Sequence, residues 1–355
     1  MTAQVPGHQD VAVSPPHILA RCQELVRPAL EAAVSRLHPR LGRMAAFSFG
    51  WCDVDGVPAP GGGGKGVRQA LAVLSAEAAA GPAEVAVAGA VAVELTHAFS
   101  LVHDDIMDGD ERRRHRATIW KAYGIGPAVL AGDALLALAM GAVISAPGEH
   151  VASAAGHLVR AVSELIDGQA EDLSFEARPW TGRQAVTVEQ YRAMAIRKTG
   201  ALLGCASVIG AALAGAPHDL TEGLSTAGRC LGLAFQAVDD LLGIWGDPAA
   251  TGKPVFNDLR QGKKTLPVIA ALSSGTDAGR QLARLLGSGS WPPADEETAW
   301  RAASLVRAAG GQSFAREEAR QQLDRALRIL GEVPLDPEAA SQLAALALFI
   351  VDRER

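Results

Sequence analysis

Aromatic residues, cysteines and clustered positive charge are scarce in this chain of 355 residues. Phe, Trp and Tyr together make up 5% of the sequence. Because β-strands favour aromatic and β-branched side chains, this shortage favours a helical protein. The formal net charge is −6 at pH 7. That charge argues against the basic surface by which proteins bind nucleic acid, so we expect no nucleic-acid partner.

The four cysteines are far apart, with no Cys-x-x-Cys pair and no Cys/His cluster, at Cys22, Cys52, Cys205 and Cys230. A disulfide framework and a zinc site are therefore not expected, and a reducing cytoplasm is the expected compartment. The N-terminal segment lacks the basic and apolar regions of a signal peptide. The longest uncharged apolar run, 134–147, is shorter than the roughly 18 residues that cross a membrane, so we expect no membrane span.

Apolar residues recur at helical spacing along most of the chain, with Gly and Pro between the segments. A first helix is predicted over 17–41, followed by a Gly- and Pro-rich loop over 50–66. Further helices are predicted over 67–80, 83–108, 116–122, 126–145, 149–177, 187–214, 219–245, 264–273, 277–286, 296–309, 311–331 and 336–353. No strand is predicted. We expect one all-α domain over 17–355, with residues 1–16 as a mobile tail that ends at Pro15-Pro16.

Some of these helices are apolar on nearly every side, as in 85–95 and 128–146. A helix without a polar face is buried all round. The sequence therefore predicts a central helix with others packed around it, and any charge within such helices needs a specific reason.

Two acidic clusters end two of the apolar helices. Asp104 and Asp108 are four residues apart, so both carboxylates lie on one helix face, and like charges at that spacing repel. Asp239 and Asp240 end a second apolar run, 135 residues further along the chain. Mg²⁺ is often bound by one or two carboxylates together with substrate phosphates. We therefore expect the two clusters to face one cavity and to bind Mg²⁺ ions and a diphosphate.

Seven short motifs follow one another along the chain: Gly63-Gly64-Lys65-x-x-Arg68, Glu94-Leu95-x-His97, Asp104-Asp105-x-x-Asp108 with Arg113-Arg114, Gly168-Gln169, Lys198-Thr199, Phe235-Gln236-x-x-Asp239-Asp240, and the loop through Lys253, Asp258 and Lys263. In this order they resemble the motifs of the trans-isoprenyl diphosphate synthases, or polyprenyl synthetases, and most resemble the actinobacterial short-chain type. The resemblance implies an all-α isoprenoid-synthase-type helical bundle around a central cavity, a homodimer and three Mg²⁺ ions. The implied substrates are isopentenyl diphosphate and allylic diphosphates.

The resemblance also implies a role for each matching residue. The implied metal ligands are Asp104, Asp108 and Asp239, with Asp105 and Asp240 in support. The implied contacts of the allylic diphosphate are Arg113, Lys198 and Lys253, and Lys263 is a further substrate-binding candidate. The implied isopentenyl diphosphate site is Lys65, Arg68, His97 and Arg114. Thr199 and Gln236 match polar groups near the allylic carbon, where positive charge develops.

The sequence departs from the family pattern at four positions. Gly66 replaces the usual Arg, Gln69 and Ala117 replace prolines, and Gly243 replaces the last Asp of the second cluster. The first two departures touch the expected isopentenyl diphosphate site.

Product length is expected to depend on Phe99, five residues before Asp104 and about 7.5 Å away along the helix axis. The combination of Phe99 with the small Ser100 resembles geranylgeranyl diphosphate synthases, and farnesyl diphosphate synthase is the alternative. Three other interpretations remain open: a class I terpene cyclase, a non-catalytic subunit, and an HD-type phosphohydrolase suggested by His103-Asp104.

Overall fold

Helices make up nearly all the regular structure in the residues that the computed structural model describes, which are 14–59, 64–113, 115–248, 254–288, 291–292 and 295–352. The first helices are α1 (Pro15–Ser35), α2 (Pro39–Ser48), α3 (Val67–Ala78), α4 (Val87–Met107), α5 (Ile119–Tyr123), α6 (Ile125–Ile144), α7 (Val151–Glu176) and α8 (Val188–Ala195). They continue as α9 (Ala201–Leu213), α10 (His218–Trp245), α11 (Asn257–Arg260), α12 (Leu266–Ser273), α13 (Asp277–Leu286), α14 (Glu296–Ala308), α15 (Gly311–Glu332) and α16 (Pro337–Val351). The predicted all-α class is confirmed.

Helix α9 lies at the centre of the bundle because no side of it is polar. All of its residues are buried, and α3, α4, α7 and α10 pack around it. Gly210 lets α3 approach, since a Cβ atom at this position would lie 2.0 Å from the carbonyl oxygen of Ala72. The hydroxyl oxygen of Ser75 accepts a hydrogen bond from the backbone N–H of Ala211 at 3.2 Å. The buried central helix is thus held by close backbone contact.

Helix α6 differs from the expectation that its apolar segment is buried all round. Its large side chains Ile125, Leu130 and Ile144 are more than half exposed. An apolar sequence makes burial favourable but does not supply a neighbour, and no helix within the described residues covers this face. The segment 85–95, most of which lies in α4, is mostly buried, as expected.

Three helical stretches are long and apolar enough to cross a membrane, at Ala83–Met107, Ile125–Ile144 and Val188–Leu213. The sequence analysis expected no membrane span because it considered only uncharged runs, whereas an 18-residue window of these stretches can contain up to two charged residues. In the fold, 67% of the most apolar window of Ala83–Met107 and 78% of that of Val188–Leu213 are buried. The corresponding share for Ile125–Ile144 is 39%. The first and third therefore serve as core helices.

The N-terminal region departs from the predicted boundaries in two ways. Helix α1 begins at Pro15, since proline is well suited to the first helical turn; residues 1–13 of the predicted tail lie outside the described residues. The predicted helix over 17–41 is two helices, because Pro39 disfavours helical geometry at His38 and starts α2. A two-stranded ribbon, Arg112–Arg113 with Arg116–Ala117, follows α4. It was not predicted, because its strands have two residues each.

Candidate active site

A cavity of about 880 Å³ opens between the ends of α4 and α10. Its wall also includes residues of α3, α7, α8, α9, α11 and α16 and of the segment that precedes α12. Among the predicted site residues, its lining includes Lys65, Arg68, His97, Arg113, Lys198, Gln236, Asp239, Asp240 and Lys263. The fold therefore brings together most of the predicted candidates, from segments up to about 200 residues apart.

Basic side chains hold the first acidic cluster from both sides. Arg113, on the ribbon after α4, contacts the Asp105 carboxylate at 2.7 Å. Lys263 contacts the Asp108 carboxylate at 2.8 Å. Asp104 is half-buried, and burial together with the nearby Asp108 raises its pKa to about 6, against the lowering effect of Lys198 and Arg113. The first acidic cluster thus lies among basic side chains.

A turn of π-helix, Ile196–Gly200, connects α8 to α9 and carries Lys198 and Thr199. The backbone of this turn packs closely against two glycines. A Cβ atom at Gly168 of α7 would lie 2.3 Å from the backbone nitrogen of Lys198, and one at Gly232 of α10 would lie 2.4 Å from the Cα atom of Gly200. Such π turns often mark functional sites, because the extra residue redirects a side chain. Here the Lys198 ammonium contacts the Asp172 carboxylate of α7 at 2.5 Å.

A buried chain of hydrogen bonds extends from Thr199 into the protein. The Thr199 hydroxyl donates to the Gln236 amide oxygen at 2.7 Å, and the Gln236 amide nitrogen donates to Asp240 at 3.0 Å. The other Asp240 oxygen accepts from the Tyr191 hydroxyl at 2.5 Å and from the Leu266 backbone N–H at 2.8 Å. Burial still raises the Asp240 pKa to about 7. With both oxygens engaged, Asp240 anchors this chain of hydrogen bonds; its supporting role in metal binding stays a prediction.

The cavity lining also contains the cations of and after the glycine loop, Lys65 and Arg68. Lys65 lies over the Phe349 ring of α16 at 5.2 Å, beside Arg68 and His97. Gly66 starts α3 in a left-handed conformation, at φ 67°, and a Cβ atom there would lie 2.5 Å from the Gln23 amide nitrogen. A left-handed backbone is strained for any residue with a side chain, so the departure at Gly66 fits the local conformation.

Some predicted residues lie elsewhere. Arg114 and Lys253 are outside the described residues. Phe99 and Ser100 are buried in α4 and are not part of the cavity lining; Phe99 packs edge-on against His103, with ring centroids 4.8 Å apart. Their role in product length stays a prediction.

Sequence reasoning missed two residues of the site. Asp172 forms an ion pair with Lys198, and Tyr191 donates a hydrogen bond to Asp240. A signal existed for Asp172, which lies one helical turn after Gly168 on the face that meets Lys198. No comparable signal pointed to Tyr191, which is seven residues before Lys198 and nearly 50 before its partner Asp240.

The acidic faces suit Mg²⁺ bound together with a diphosphate rather than a closed all-protein site. Within the described part of the chain, no three His, Cys, Asp or Glu side chains converge as a complete metal site. Mg²⁺ commonly uses one or two carboxylates and takes its other ligands from phosphates and water. The half-buried, hard-to-ionise Asp104 fits this chemistry, because a nearby divalent cation favours its charged form.

A sequence profile of the polyprenyl synthetase family matches residues 59–302. The chain belongs to the polyprenyl synthetase family. It is 43% identical over 339 residues to a (2E,6E)-farnesyl diphosphate synthase of Mycobacterium tuberculosis, covering 95% of this chain and 93% of that protein. It is 40% identical over 338 residues to a geranylgeranyl diphosphate synthase of the same organism, with the same coverage.

Solved structures of this family have the same fold. The polyprenyl synthetase from Streptomyces coelicolor A3(2) superposes with a TM-score of 0.87 and 49% identity, covering 94% of this chain and 98% of that one. The geranylgeranyl pyrophosphate synthase from Corynebacterium glutamicum, complexed with isoprenyl diphosphate and magnesium, gives a TM-score of 0.79 and 26% identity, covering 96% and 98%. This polyprenyl synthetase is therefore a prenyltransferase with the all-α isoprenoid synthase fold, which confirms the predicted family and enzyme class.

The phosphohydrolase interpretation is wrong, because the chain belongs to the polyprenyl synthetase family. The His103 Nε2 atom lies 3.2 Å from the Val129 carbonyl oxygen. His103 thus connects α4 to α6.

Proposed function

We propose that this polyprenyl synthetase condenses isopentenyl diphosphate head-to-tail with allylic diphosphates and that its main product is all-trans geranylgeranyl diphosphate. The observation that carries the proposal is one cavity lined by two groups of basic side chains. Arg113, Lys198 and Lys263 line it together with Asp239 and Asp240, and Arg113 and Lys263 contact Asp105 and Asp108 of the first acidic cluster. The second group is Lys65, Arg68 and His97. A class I terpene cyclase ionises one diphosphate and has no use for the second group.

We assign the first group, with the acidic clusters, to the allylic diphosphate and three Mg²⁺ ions, bound by Asp104, Asp108 and Asp239. When bound, Mg²⁺ neutralises charge on the departing diphosphate and so promotes cleavage of the allylic C–O bond. The diphosphate would exchange contacts with Lys198 and Arg113, which now contact carboxylates at 2.5 and 2.7 Å. We assign the same role to Lys253.

The carbon that loses the diphosphate becomes cationic and needs oxygen atoms nearby that are already oriented. Thr199 and Gln236 meet this need. Because Gln236 donates its amide N–H to Asp240, its amide oxygen faces Thr199, and Gln236 lines the cavity. We assign the two side-chain oxygens to stabilisation of the reacting carbon.

We assign the second group to isopentenyl diphosphate, held by Lys65, Arg68, His97 and Arg114. Its double bond attacks the allylic carbon, and a proton is then lost, with the released diphosphate as the acceptor. Holding both substrates in one cavity supplies the proximity that this step requires.

For product length, we propose that Phe99 and Ser100 set a C20 limit. The alternative is farnesyl diphosphate, favoured by the 43% identity to the M. tuberculosis farnesyl diphosphate synthase. The deciding experiment incubates the purified protein with Mg²⁺, isopentenyl diphosphate and each allylic primer, and then identifies the products by mass. A C20 main product supports the proposal, and a C15 product refutes the length assignment. No turnover by the protein alone would indicate a non-catalytic subunit.

Arg68→Ala provides a direct test of the two groups of basic side chains. We expect the KM for isopentenyl diphosphate to rise far more than the KM for the allylic primer. Formation of a hydrocarbon from one prenyl diphosphate, without consumption of isopentenyl diphosphate, would instead show a cyclase.

We also propose a cytoplasmic homodimer. The support is the apolar face of α6, where Ile125, Leu130 and Ile144 are exposed; such contiguous apolar faces are usually interaction sites. Light scattering after size-exclusion chromatography measures the mass directly. Leu130→Glu should shift a dimer toward monomer, and a monomeric wild-type protein would contradict the proposal.

A further inference from the structure

Gln23, on the first helix, contacts the glycine loop although it belongs to none of the motifs. It lies on α1 with its side chain half-buried. Its amide nitrogen Nε2 donates a hydrogen bond to the Gly64 carbonyl oxygen at 3.2 Å, across 41 residues of sequence. A residue of α1 thus holds the backbone of a segment that lines the catalytic cavity.

The Gln23 side chain also packs against Gly66. The three heavy atoms nearest to a Cβ atom built at Gly66 all belong to Gln23: Nε2 at 2.5 Å, Cγ at 2.8 Å and Cδ at 3.1 Å. Gly66 has a left-handed backbone at φ 67°, which glycine adopts without strain. Because glycine has no side chain, the Gln23 amide lies directly against the Gly66 backbone.

The two contacts of Gln23 lie on either side of Lys65. Gly64 and Gly66 are its neighbours in the chain, and all three residues line the cavity. The Gly66 carbonyl oxygen accepts a hydrogen bond from a backbone N–H of α3 at 3.0 Å. The contacts therefore restrain both the peptide units that flank Lys65 and the start of the helix that carries Arg68.

Contacts from outside the loop matter here because glycine gives a loop little stiffness of its own. Glycine loses more conformational freedom on folding than any other residue, and Lys65 has a glycine on each side. The Lys65 ammonium lies over the Phe349 ring at 5.2 Å, so its position depends on where the backbone places its Cα atom. A contact that limits the backbone at Gly64 and Gly66 reduces the ordering that must accompany substrate binding.

Helix α1 is itself fixed to the bundle beside Gln23. The Arg21 guanidinium donates to both carboxylate oxygens of Glu77 on α3, at 2.5 and 2.8 Å, and to the amide oxygen of Gln342 on α16 at 3.1 Å. Cys22, between Arg21 and Gln23, is fully buried. Gln23 therefore extends from a helix that is packed and tied to α3, and its amide is a fixed support for the loop.

We infer that Gln23 is a positioning residue of the isopentenyl diphosphate site: it holds the end of the glycine loop so that Lys65 and Arg68 are in place before the substrate binds. The inference rests on the proposed function, since it concerns the site assigned to Lys65 and Arg68. Within the described residues, the cavity lining does not include Gln23. Gln23 therefore acts through the loop and not on the substrate.

Gln23→Met tests the inference, because methionine is similar in length to glutamine and lacks its amide. Steady-state kinetics should show the KM for isopentenyl diphosphate rising by about 2- to 12-fold, the factor that corresponds to one neutral hydrogen bond. kcat and the KM for the allylic primer should keep their wild-type values. Amide hydrogen exchange, measured by mass spectrometry, should be faster at residues 64–67 than in the wild type, which reports on the loop independently of turnover.

Gln342→Met is the matched control. Gln342 is also a half-buried glutamine beside α1, and its hydrogen bonds join it to Arg21 and Glu338. This variant should keep the wild-type KM for isopentenyl diphosphate and wild-type exchange at residues 64–67. Equal changes of the melting temperature, kcat and both KM values in Gln23→Met and Gln342→Met would show a purely structural role and overturn the inference.

Comparison with Arg68→Ala separates the inference from the proposed function. A wild-type KM for isopentenyl diphosphate in Gln23→Met, together with a raised KM in Arg68→Ala, would overturn the inference and leave the proposed site intact. A wild-type KM in Arg68→Ala would instead refute the proposed site.

Gln23→Glu serves if Gln23→Met does not fold. It keeps the shape of the side chain and replaces the amide donor by a carboxylate, which repels the Gly64 carbonyl oxygen. The KM for isopentenyl diphosphate should rise at least as much as in Gln23→Met, and a wild-type KM in Gln23→Glu would contradict the role of Gln23 as a donor to the loop.

Discussion

Tyr191→Phe tests whether the buried hydrogen bonds behind Gln236 contribute to catalysis. The substitution removes one hydroxyl, which donates to Asp240 at 2.5 Å, and leaves the ring in place. Tyr191 and Asp240 are 2% and 3% exposed, so water cannot readily replace the lost donor. Asp240 then keeps two hydrogen bonds, from Leu266 and Gln236.

A hydrogen bond to a charged group contributes about 1.5–3 kcal/mol. If the loss appears in full in the transition state, kcat should fall about 10- to 150-fold, at 1.36 kcal/mol for each factor of ten. The KM for isopentenyl diphosphate should change little, because its proposed site consists of other residues, Lys65, Arg68, His97 and Arg114. Steady-state kinetics with each substrate varied in turn measures both values.

The same variant has an expected pH signature. The folded pKa of Asp240 is about 7, against 3.8 for an exposed Asp, so between these values the folded protein binds a proton that the unfolded chain does not. The free energy of unfolding therefore falls as pH rises through this window. The Tyr191 hydroxyl lowers the Asp240 pKa, so in Tyr191→Phe the fall should extend to higher pH, as measured by thermal melts across pH.

The matched control is Tyr123→Phe, since Tyr123 is the other tyrosine of the chain and its hydroxyl donates to the Val54 carbonyl oxygen at 2.7 Å. The control should keep wild-type kcat. Equal kcat in Tyr191→Phe and wild type would refute the reasoning, and so would equal losses in both variants.

Three further outcomes are expected. The Asp104 pKa is about 6, and a carboxylate must be deprotonated to bind a metal. Calorimetry should therefore show the Mg²⁺ affinity falling by up to about tenfold per pH unit below pH 6. A constant affinity down to about pH 5 would contradict the assignment of Asp104 as a ligand. Gly168→Ala places a Cβ atom 2.3 Å from the backbone nitrogen of Lys198, so it should lower the free energy of unfolding by about 1–3 kcal/mol and reduce kcat. The control Gly331→Ala, which has open space around it, should keep the wild-type stability and kcat. Equal melting curves for the two variants would refute the close-contact argument. Phe99→Ala should lengthen the products by at least one C5 unit in a mass-spectrometric assay, and an unchanged distribution in a folded variant would remove Phe99 from length control.

Local patterns in the sequence were enough to predict most helices and both acidic faces. Helical periodicity and the four-residue spacing of Asp104 and Asp108 depend only on neighbours within a turn or two, so they can be read without the fold. The order of the motifs identified the family for the same reason, because each motif is short and continuous. Helix boundaries were predicted wrongly where a proline ends one helix and starts the next, as at Pro39. The ribbon at Arg113 was not predicted, because its strands are too short to show a periodic pattern.

The tertiary structure alone decided which side chains meet. Tyr191 contacts Asp240 from another helix, and Asp258 occupies the space at Gly243 because the start of α11 is joined to the end of α10. Such pairings depend on how closely two backbones approach, which the glycines at these crossings allow but do not specify. The apolar face of α6 shows the same limit: its sequence determines that burial is favourable, and only the arrangement of the other helices determines whether a neighbour is there to bury it.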